Sequence, residues 1–141
     1  MQPAISLNER LIGPDQPCFV VAEIGQNHNG DGTTARQLID MAVSCGADAV
    51  KFQKRDIPSD LTEEEYRRPY GIRNSFGETY GQHREALELT EEQHTELKAY
   101  AESTGITYFC TACDLPSVEA MERIGNPIYK VASRDLTNIP L

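Results

Sequence analysis

The sequence lacks any long apolar run. Its 141 residues are 39% hydrophobic, but no stretch approaches the roughly 20 consecutive apolar residues that a membrane-spanning helix needs. The opening "MQPAISLNERLIG" also lacks the basic and apolar regions of a signal peptide. We therefore expect a cytoplasmic protein with no membrane partner.

Basic residues are scarce. Lys and Arg number 13 against 22 Asp and Glu, which gives a formal net charge of -9. Sequence-independent binding to nucleic acid or to an anionic membrane depends on an excess of cations. The composition argues against both, although a local group of lysines can still hold a small anion.

Cysteine is too sparse for a structural zinc centre. Cys110 and Cys113 form a C-x-x-C pair, but such a centre needs a second pair of ligands that the sequence lacks. Cys18 and Cys45, like the other two, lie in or beside apolar segments. The pattern predicts four reduced, buried thiols in one cytosolic domain.

Strand and helix patterns alternate along the chain. Short apolar runs predict four strands, over residues 18–24, 47–53, 106–111 and 128–133. Helical spacing of apolar residues follows the first of these, and capping patterns predict further helices from Thr90 and from Leu115 to Ile124. This alternation implies a parallel α/β sheet, either doubly wound or the first half of a barrel.

A long polar segment interrupts the alternation. Residues 54–89 are rich in charge, Pro, Gly and Tyr, and loops of this length inside a domain are usually functional or disordered. The aromatic residues favour a structured excursion with a short helix near Thr62 to Arg67. His83 and His94 lie in charged helical stretches, where we expect solvated side chains.

The predicted strands end in polar residues. Lys51 and Gln53 share one face of their strand because successive side chains alternate. All four strand ends are polar, with Glu23, Lys51, Gln53, Thr111, Lys130 and Ser133. The carboxyl ends of parallel strands form the rim where α/β proteins bind ligands. Two lysines converging there predict a phosphate or carboxylate ligand.

Plainer interpretations stay open at this point. Lys51 and Glu23 can form a structural ion pair, since paired charges are not confined to functional sites. Asn27, Asn29 and Gly30 of "NHNG" can be turn residues, because both types tolerate left-handed backbone.

Three segments together resemble one enzyme family. "AEIGQNHNGD", "GADAVKFQK" and "YKVAS", in that order, resemble motifs of the sialic acid synthases, and the likeness extends to "SFGETYGQHREALELT" and "SRDLTNIPL". It implies that residues 1–141 are the N-terminal half of a TIM (β/α)8 barrel. The remaining strands, a C-terminal antifreeze-like domain and a homodimer are expected beyond this chain. The exposed edge of a half barrel likewise predicts a longer protein or an oligomer.

The resemblance also implies a reaction. Such enzymes condense phosphoenolpyruvate with N-acetylmannosamine, release phosphate and use Mn²⁺ or Mg²⁺, whose ligands we expect outside this chain. Alternatives are a legionaminate or pseudaminate synthase, or an inactive anion-binding fragment. A heptulosonate- or octulosonate-type synthase is disfavoured, because its acceptor carries a phosphate and the predicted rim loops contain no second basic cluster.

Four residues are implied to hold phosphoenolpyruvate. Lys51 and Lys130 match lysines that bind its phosphate and carboxylate, and Thr111 and Ser133 match hydrogen-bond donors. The two lysines, together with Glu23, are the predicted catalytic residues.

The remaining implied contacts concern the sugar. Glu23 and Asn74 are expected to contact it, and Gln53 to orient substrate or water. Many relatives carry Ser-Gly-Glu where this chain has Ser, Arg134 and Asp135. Asp135 keeps a substrate-binding carboxylate, while Arg134 adds bulk and charge near the sugar.

Overall fold

A computed structural model describes residues 4–8 and 10–141. The strands are β1 (Ile5–Leu7), β2 (Arg10–Ile12), β3 (Val21–Gly25), β4 (Ala49–Lys54) and β5 (Thr107–Ala112). The helices are α1 (Gly32–Ser44), α2 (Ile57–Asp60), α3 (Glu63–Arg67), α4 (Tyr80–Ala86), α5 (Glu91–Ser103) and α6 (Leu115–Arg123). None of these helices has the length and apolarity that crossing a bilayer requires.

The strands form two sheets. β3, β4 and β5 pair in parallel and in chain order, as the alternating pattern predicts. β1 and β2 form a small antiparallel hairpin that the sequence patterns did not predict, because three-residue strands are too short to display a period. The predicted α/β class with parallel (β/α) units is confirmed.

The helices pack against one face of the parallel sheet. Val50 and Phe52 of β4 and Tyr108 and Cys110 of β5 all lie in the buried core. They share that core with Ala35 and Ile39 of α1, Leu97 and Ala101 of α5, and Ala120 and Met121 of α6. The opposite face carries the alternate residues, among them Lys51. A sheet covered by helices on one face is the wall of a barrel, whereas a doubly wound sheet is covered on both.

Side-chain caps fix where the main helices begin. The Asp31 carboxylate accepts the Thr33 amide at 2.6 Å, and Thr90 and Gln93 form a reciprocal capping box. Asp114 accepts the Ser117 amide at 2.8 Å. Each cap satisfies backbone donors that the first turn leaves unpaired. The helices α5 and α6 begin where the sequence predicts.

The fourth predicted strand is reduced to a single bridge. Within residues 128–133 only Tyr129 pairs with the sheet, through a parallel bridge to Cys110. The Asn126 side-chain oxygen accepts a hydrogen bond from the Cys110 backbone N–H at 3.0 Å. Pro127 has no backbone N–H to donate. A 3-10 turn (Ser133–Asp135) then ends the extended segment.

The cysteine prediction holds for only one pair. Cys110 and Cys113 are buried, whereas Cys18 and Cys45 are exposed. Cys18 precedes the first residue of β3, and Cys45 is the C-cap of α1. Nearby apolar residues are exposed as well, including Val20 and Val21 after Cys18 and Val43 before Cys45, so an apolar stretch of sequence did not indicate burial here.

His94 is buried, contrary to the expectation of a solvated side chain. It is fully enclosed one turn before Leu97 on the inner stripe of α5, and its Nδ1 lies 2.6 Å from the Tyr108 hydroxyl. Burial lowers the pKa of His94 to about 3. His83 is half-buried, with its ring 4.7 Å from that of Tyr70.

We expect His94 to make the fold sensitive to mild acid. In the unfolded chain this side chain is protonated with its ordinary pKa of 6.5, whereas in the folded chain burial lowers the pKa to about 3. Stability is therefore complete above pH 6.5 and is lost as pH falls towards 3. Between pH 7 and pH 5 the group removes about 2 kcal/mol from the free energy of unfolding. Urea unfolding of the full-length protein at both pH values measures this loss. An equally large loss in His94→Gln would contradict the assignment.

Candidate active site

Polar side chains line the face of the sheet that is turned away from the helical core. In the strand register Glu23 of β3 lies beside Lys51 of β4, and Gln53 of β4 lies beside Thr111 of β5. These four predicted residues come from three adjacent strands near their carboxyl ends. The parallel topology brings them together as expected.

Lys51 is the centre of this group. Its side chain is 5% exposed, and its Nζ lies 2.9 Å from Glu23 Oε1 and 3.0 Å from Thr111 Oγ1. Because the ammonium donates to Thr111, the hydroxyl proton remains available to a ligand oxygen. The Glu23 side chain is 57% exposed. The ion pair left open by the sequence is thus present, and it faces solvent on its carboxylate side.

A backbone irregularity lies beside Glu23 and Gln53. The register between β3 and β4 shifts between Glu23 and Gly25, where φ is +55°. A Cβ on Gly25 would lie 3.3 Å from Glu23 Oε1 and 3.4 Å from Gln53 Nε2. Bulges re-aim side chains in this way beside functional sites.

The "NHNG" loop is held together by its own side chains. Asn27 donates to the Ile24 carbonyl at 2.9 Å, and His28 Nδ1 accepts the Gly30 amide at 3.1 Å. The buried His28 ring stacks on Phe52 at 5.9 Å, and burial lowers the pKa of His28. These contacts favour turn chemistry for Asn27 and His28 over direct contact with a ligand.

Four predicted site residues form no ion pair or side-chain hydrogen bond with the Lys51 group among the described residues, namely Asn74, Lys130, Ser133 and Asp135. Asn74, Lys130 and Ser133 are exposed. Within residues 4–8 and 10–141 none of these three exposed side chains takes part in an ion pair or a hydrogen bond. The convergence of Lys130 with Lys51 stays a prediction.

Arg134 forms an ion pair with the segment over residues 54–89. Its guanidinium pairs with Asp60 of α2 and lies 3.5 Å from its neighbour, the buried Asp135. The residue that departs from the Ser-Gly-Glu pattern therefore connects the 3-10 turn (Ser133–Asp135) to the segment between β4 and α5.

Glu88 is a largely buried carboxylate at the end of β4 that the sequence patterns did not indicate. Its carboxylate accepts Gln26 Nε2 at 2.7 Å, the Arg55 amide at 3.0 Å and Lys54 Nζ at 3.3 Å. Burial raises the pKa of Glu88, and the Lys54 charge opposes that shift. An acidic residue between the buried Leu87 and Leu89 was the available sequence indication.

The described residues contain no group of three or more His, Cys, Asp and Glu side chains arranged to hold a metal ion. The site of the divalent metal that the resemblance implies stays a prediction.

Comparison with known proteins identifies the family. The model described as the NeuB family matches residues 38–141. The chain belongs to the NeuB family. The predicted resemblance to the sialic acid synthases is confirmed.

Individual relatives in the NeuB family agree with this assignment. The chain is 42% identical over 131 residues to the N-acetylneuraminate-9-phosphate synthase of Homo sapiens, covering 93% of this chain and 36% of that protein. It is 35% identical over 123 residues to the N,N'-diacetyllegionaminic acid synthase of Campylobacter jejuni, covering 86% of this chain and 37% of the relative. The chain thus spans about a third of the length of these relatives.

A solved structure matches the fold. The N-acetylneuraminic acid synthetase of Leptospira borgpetersenii, crystallised with citrate, superposes with a TM-score of 0.78 at 31% identity. The match covers 98% of this chain and 44% of the solved one.

Proposed function

We propose that the full-length protein condenses phosphoenolpyruvate with the open-chain aldehyde of an N-acylamino sugar, with N-acetylmannosamine as the first candidate, and releases phosphate. Membership of the NeuB family supports a nonulosonate synthase. The observation that carries the proposal is the buried Lys51 ammonium, held at the rim by Glu23 and Thr111.

The proposed roles follow from charge and hydrogen bonding. C3 of phosphoenolpyruvate bonds to the aldehyde carbon, whose oxygen takes up a proton. Water adds at C2, and the tetrahedral intermediate loses phosphate to leave a 2-keto acid. Lys51 and Lys130 offset the negative charge of phosphoenolpyruvate, and Thr111 donates to one of its oxygens. Glu23, with Gln53 beside it, accepts hydrogen bonds from the sugar.

The identity of the acceptor is a separate question. Relatives in the NeuB family are named for N-acetylneuraminate 9-phosphate, for N,N'-diacetyllegionaminic acid and for pseudaminic acid. A legionaminate or pseudaminate synthase is therefore the alternative proposal. The excursion over residues 54–89, with Asn74 at its surface, is the segment that we expect to select among these sugars.

A direct assay tests the proposal. The full-length protein, incubated with phosphoenolpyruvate, a divalent metal and a panel of acylamino sugars, should release phosphate with equimolar 2-keto acid product. Binding of phosphoenolpyruvate without phosphate release from any sugar would instead support an anion-binding module. No binding at all would remove the proposed function.

A further inference from the structure

A series of side-chain contacts leads away from Gln53 at the candidate active site. Arg55 lies directly beyond β4, and its Nη2 is 3.4 Å from Gln53 Oε1. The other terminal nitrogen of Arg55, Nη1, lies 3.6 Å from Oδ2 of Asp60, the last residue of α2. The Asp60 carboxylate therefore holds the guanidinium that donates to Gln53.

Asp60 is shared by two arginines. Its side chain is 5% exposed and also meets the Arg134 guanidinium in a fork, in which Nη2 pairs with Oδ1 and Nη1 lies 3.4 Å from Oδ2. Arg134 Nε in turn lies 3.5 Å from Asp135 Oδ2. Because a buried carboxylate is costly without its partners, Asp60 and the two guanidinium groups restrict one another.

The adjacent carboxylates bind backbone groups and so anchor the helix that carries Asp60. Asp56 is the N-cap of α2 and accepts the Ser59 hydroxyl at 2.6 Å. Asp114 accepts the Asp56 amide and the Ser117 amide, each at 2.8 Å. These contacts tie the start of α2 to the start of α6, so that Asp60 is presented from a fixed position.

The contact with Arg55 determines which end of the Gln53 amide is left for a ligand. An amide has one oxygen, which accepts hydrogen bonds, and one NH2 group, which donates them. Oε1 accepts from Arg55, so the Nε2 group stays available. A Cβ on Gly25 would lie 3.4 Å from Gln53 Nε2 and 3.3 Å from Glu23 Oε1. The rim thus offers a donor and an acceptor close together.

We propose that Asp60 is a positioning residue that keeps Arg55 on Gln53 and so presents the Gln53 N–H donors, beside the Glu23 carboxylate, to one hydroxyl group of the acceptor sugar. The inference rests on the proposed function. A hydroxyl matches these two groups because it accepts a hydrogen bond from Gln53 while it donates one to Glu23. With the amide reversed, both groups would offer acceptors, and the single hydroxyl proton could satisfy only one of them.

Kinetics of the full-length protein test this role with the acylamino sugar that it turns over fastest. Asp60→Asn and Arg55→Gln should each lower kcat/KM for the sugar about three- to tenfold, while the phosphoenolpyruvate Kd stays that of wild type. Asp48→Asn is the matched control. Asp48 also pairs with an arginine, Arg10, and its side chain is 15% exposed, but it directly precedes β4 at the opposite end of the strand. We expect this control to match wild type in both measurements.

A double-mutant cycle separates positioning from a purely structural role. Gln53→Ala removes the amide on which Asp60 acts, so that adding Asp60→Asn to it should change kcat/KM for the sugar by less than about twofold. Asp60→Glu keeps the charge and should restore part of the activity that Asp60→Asn loses. An undiminished further loss in the Gln53→Ala background overturns the inference, as does an equal loss of phosphoenolpyruvate affinity in Asp60→Asn.

Arg55→Gln covers the case in which Asp60→Asn does not fold, because Asp60 then keeps Arg134 as its partner. Normal sugar kinetics in Arg55→Gln would overturn the inference, while the proposed function stands. Absence of turnover by wild type with every acceptor overturns the proposed function and the inference with it.

Discussion

Replacing Lys51 by Met should weaken phosphoenolpyruvate binding by one to two orders of magnitude. The ammonium is the only basic group that contacts both Glu23 and Thr111 among the described residues. Losing a charge-assisted hydrogen bond to the ligand costs about 1.5 to 3 kcal/mol. Methionine retains the apolar stem, and Glu23 is 57% exposed, so water can solvate the carboxylate that is left behind. Calorimetric titration of the full-length protein with phosphoenolpyruvate measures the effect.

Lys98→Met is the matched control for this substitution. Lys98 has a side chain that is 18% exposed and, like Lys51, pairs with a glutamate, Glu102, but on the surface of α5. We expect its phosphoenolpyruvate affinity to equal that of wild type. Lys130→Met should resemble Lys51→Met if both lysines hold the ligand. A Lys51→Met protein that binds phosphoenolpyruvate normally and only the sugar poorly would reverse the assigned roles.

Replacing Gly30 by Ala should destabilise the protein by about 3 kcal/mol, the sum of two effects. The residue has φ of +78°, where an L side chain costs about 1 to 2 kcal/mol. A Cβ there would also lie 2.2 Å from the Ala86 carbonyl oxygen at the end of α4, and such overpacking typically costs about 1 to 3 kcal/mol. Urea unfolding of the full-length protein measures the sum.

Gly46→Ala separates the two effects. Gly46 has φ of +75°, and a Cβ there meets nothing within 4 Å, so only the backbone cost of about 1 to 2 kcal/mol should appear. The difference between the two losses in the free energy of unfolding therefore measures the close contact between the "NHNG" loop and the end of α4. Equal destabilisation by both substitutions would mean that this contact is unimportant.

The strand pattern made the centre of the site predictable. Lys51 and Gln53 alternate with Val50 and Phe52, and a period of two residues assigns them to opposite faces whatever the neighbouring strands are. The parallel arrangement then places Glu23 and Thr111 beside them. Local capping similarly made the starts of α5 and α6 predictable, because each cap acts within three residues along the chain.

Contacts between distant segments were not predictable. Arg134 pairs with Asp60 of an excursion without a regular period, and nothing local indicates this contact. Glu88 and Lys54 are likewise far apart in sequence, and only the folded structure brings them into contact. His94 is buried because Tyr108, on another element, supplies a hydrogen-bond partner; charge-rich neighbours in sequence suggested solvent instead.

The fourth predicted strand fails for a related reason. Tyr129 and Val131 do alternate with Lys130, as a strand requires. Pairing, however, depends on backbone groups, and the Asn126 side chain occupies the Cys110 amide that a longer ladder would use. Alternation of side chains predicts extended backbone. The number of hydrogen bonds between the strands also depends on side chains, such as that of Asn126, that bond to the same backbone groups.

The location of bound phosphoenolpyruvate tests the central claim most directly. A crystal structure of the full-length protein with this ligand should place a phosphate or carboxylate oxygen within hydrogen-bond distance of Lys51 Nζ, about 2.7 to 3.2 Å, and another beside Thr111 Oγ1. Phosphoenolpyruvate bound elsewhere, with Lys51 still fully engaged by Glu23 and Thr111, would contradict the account.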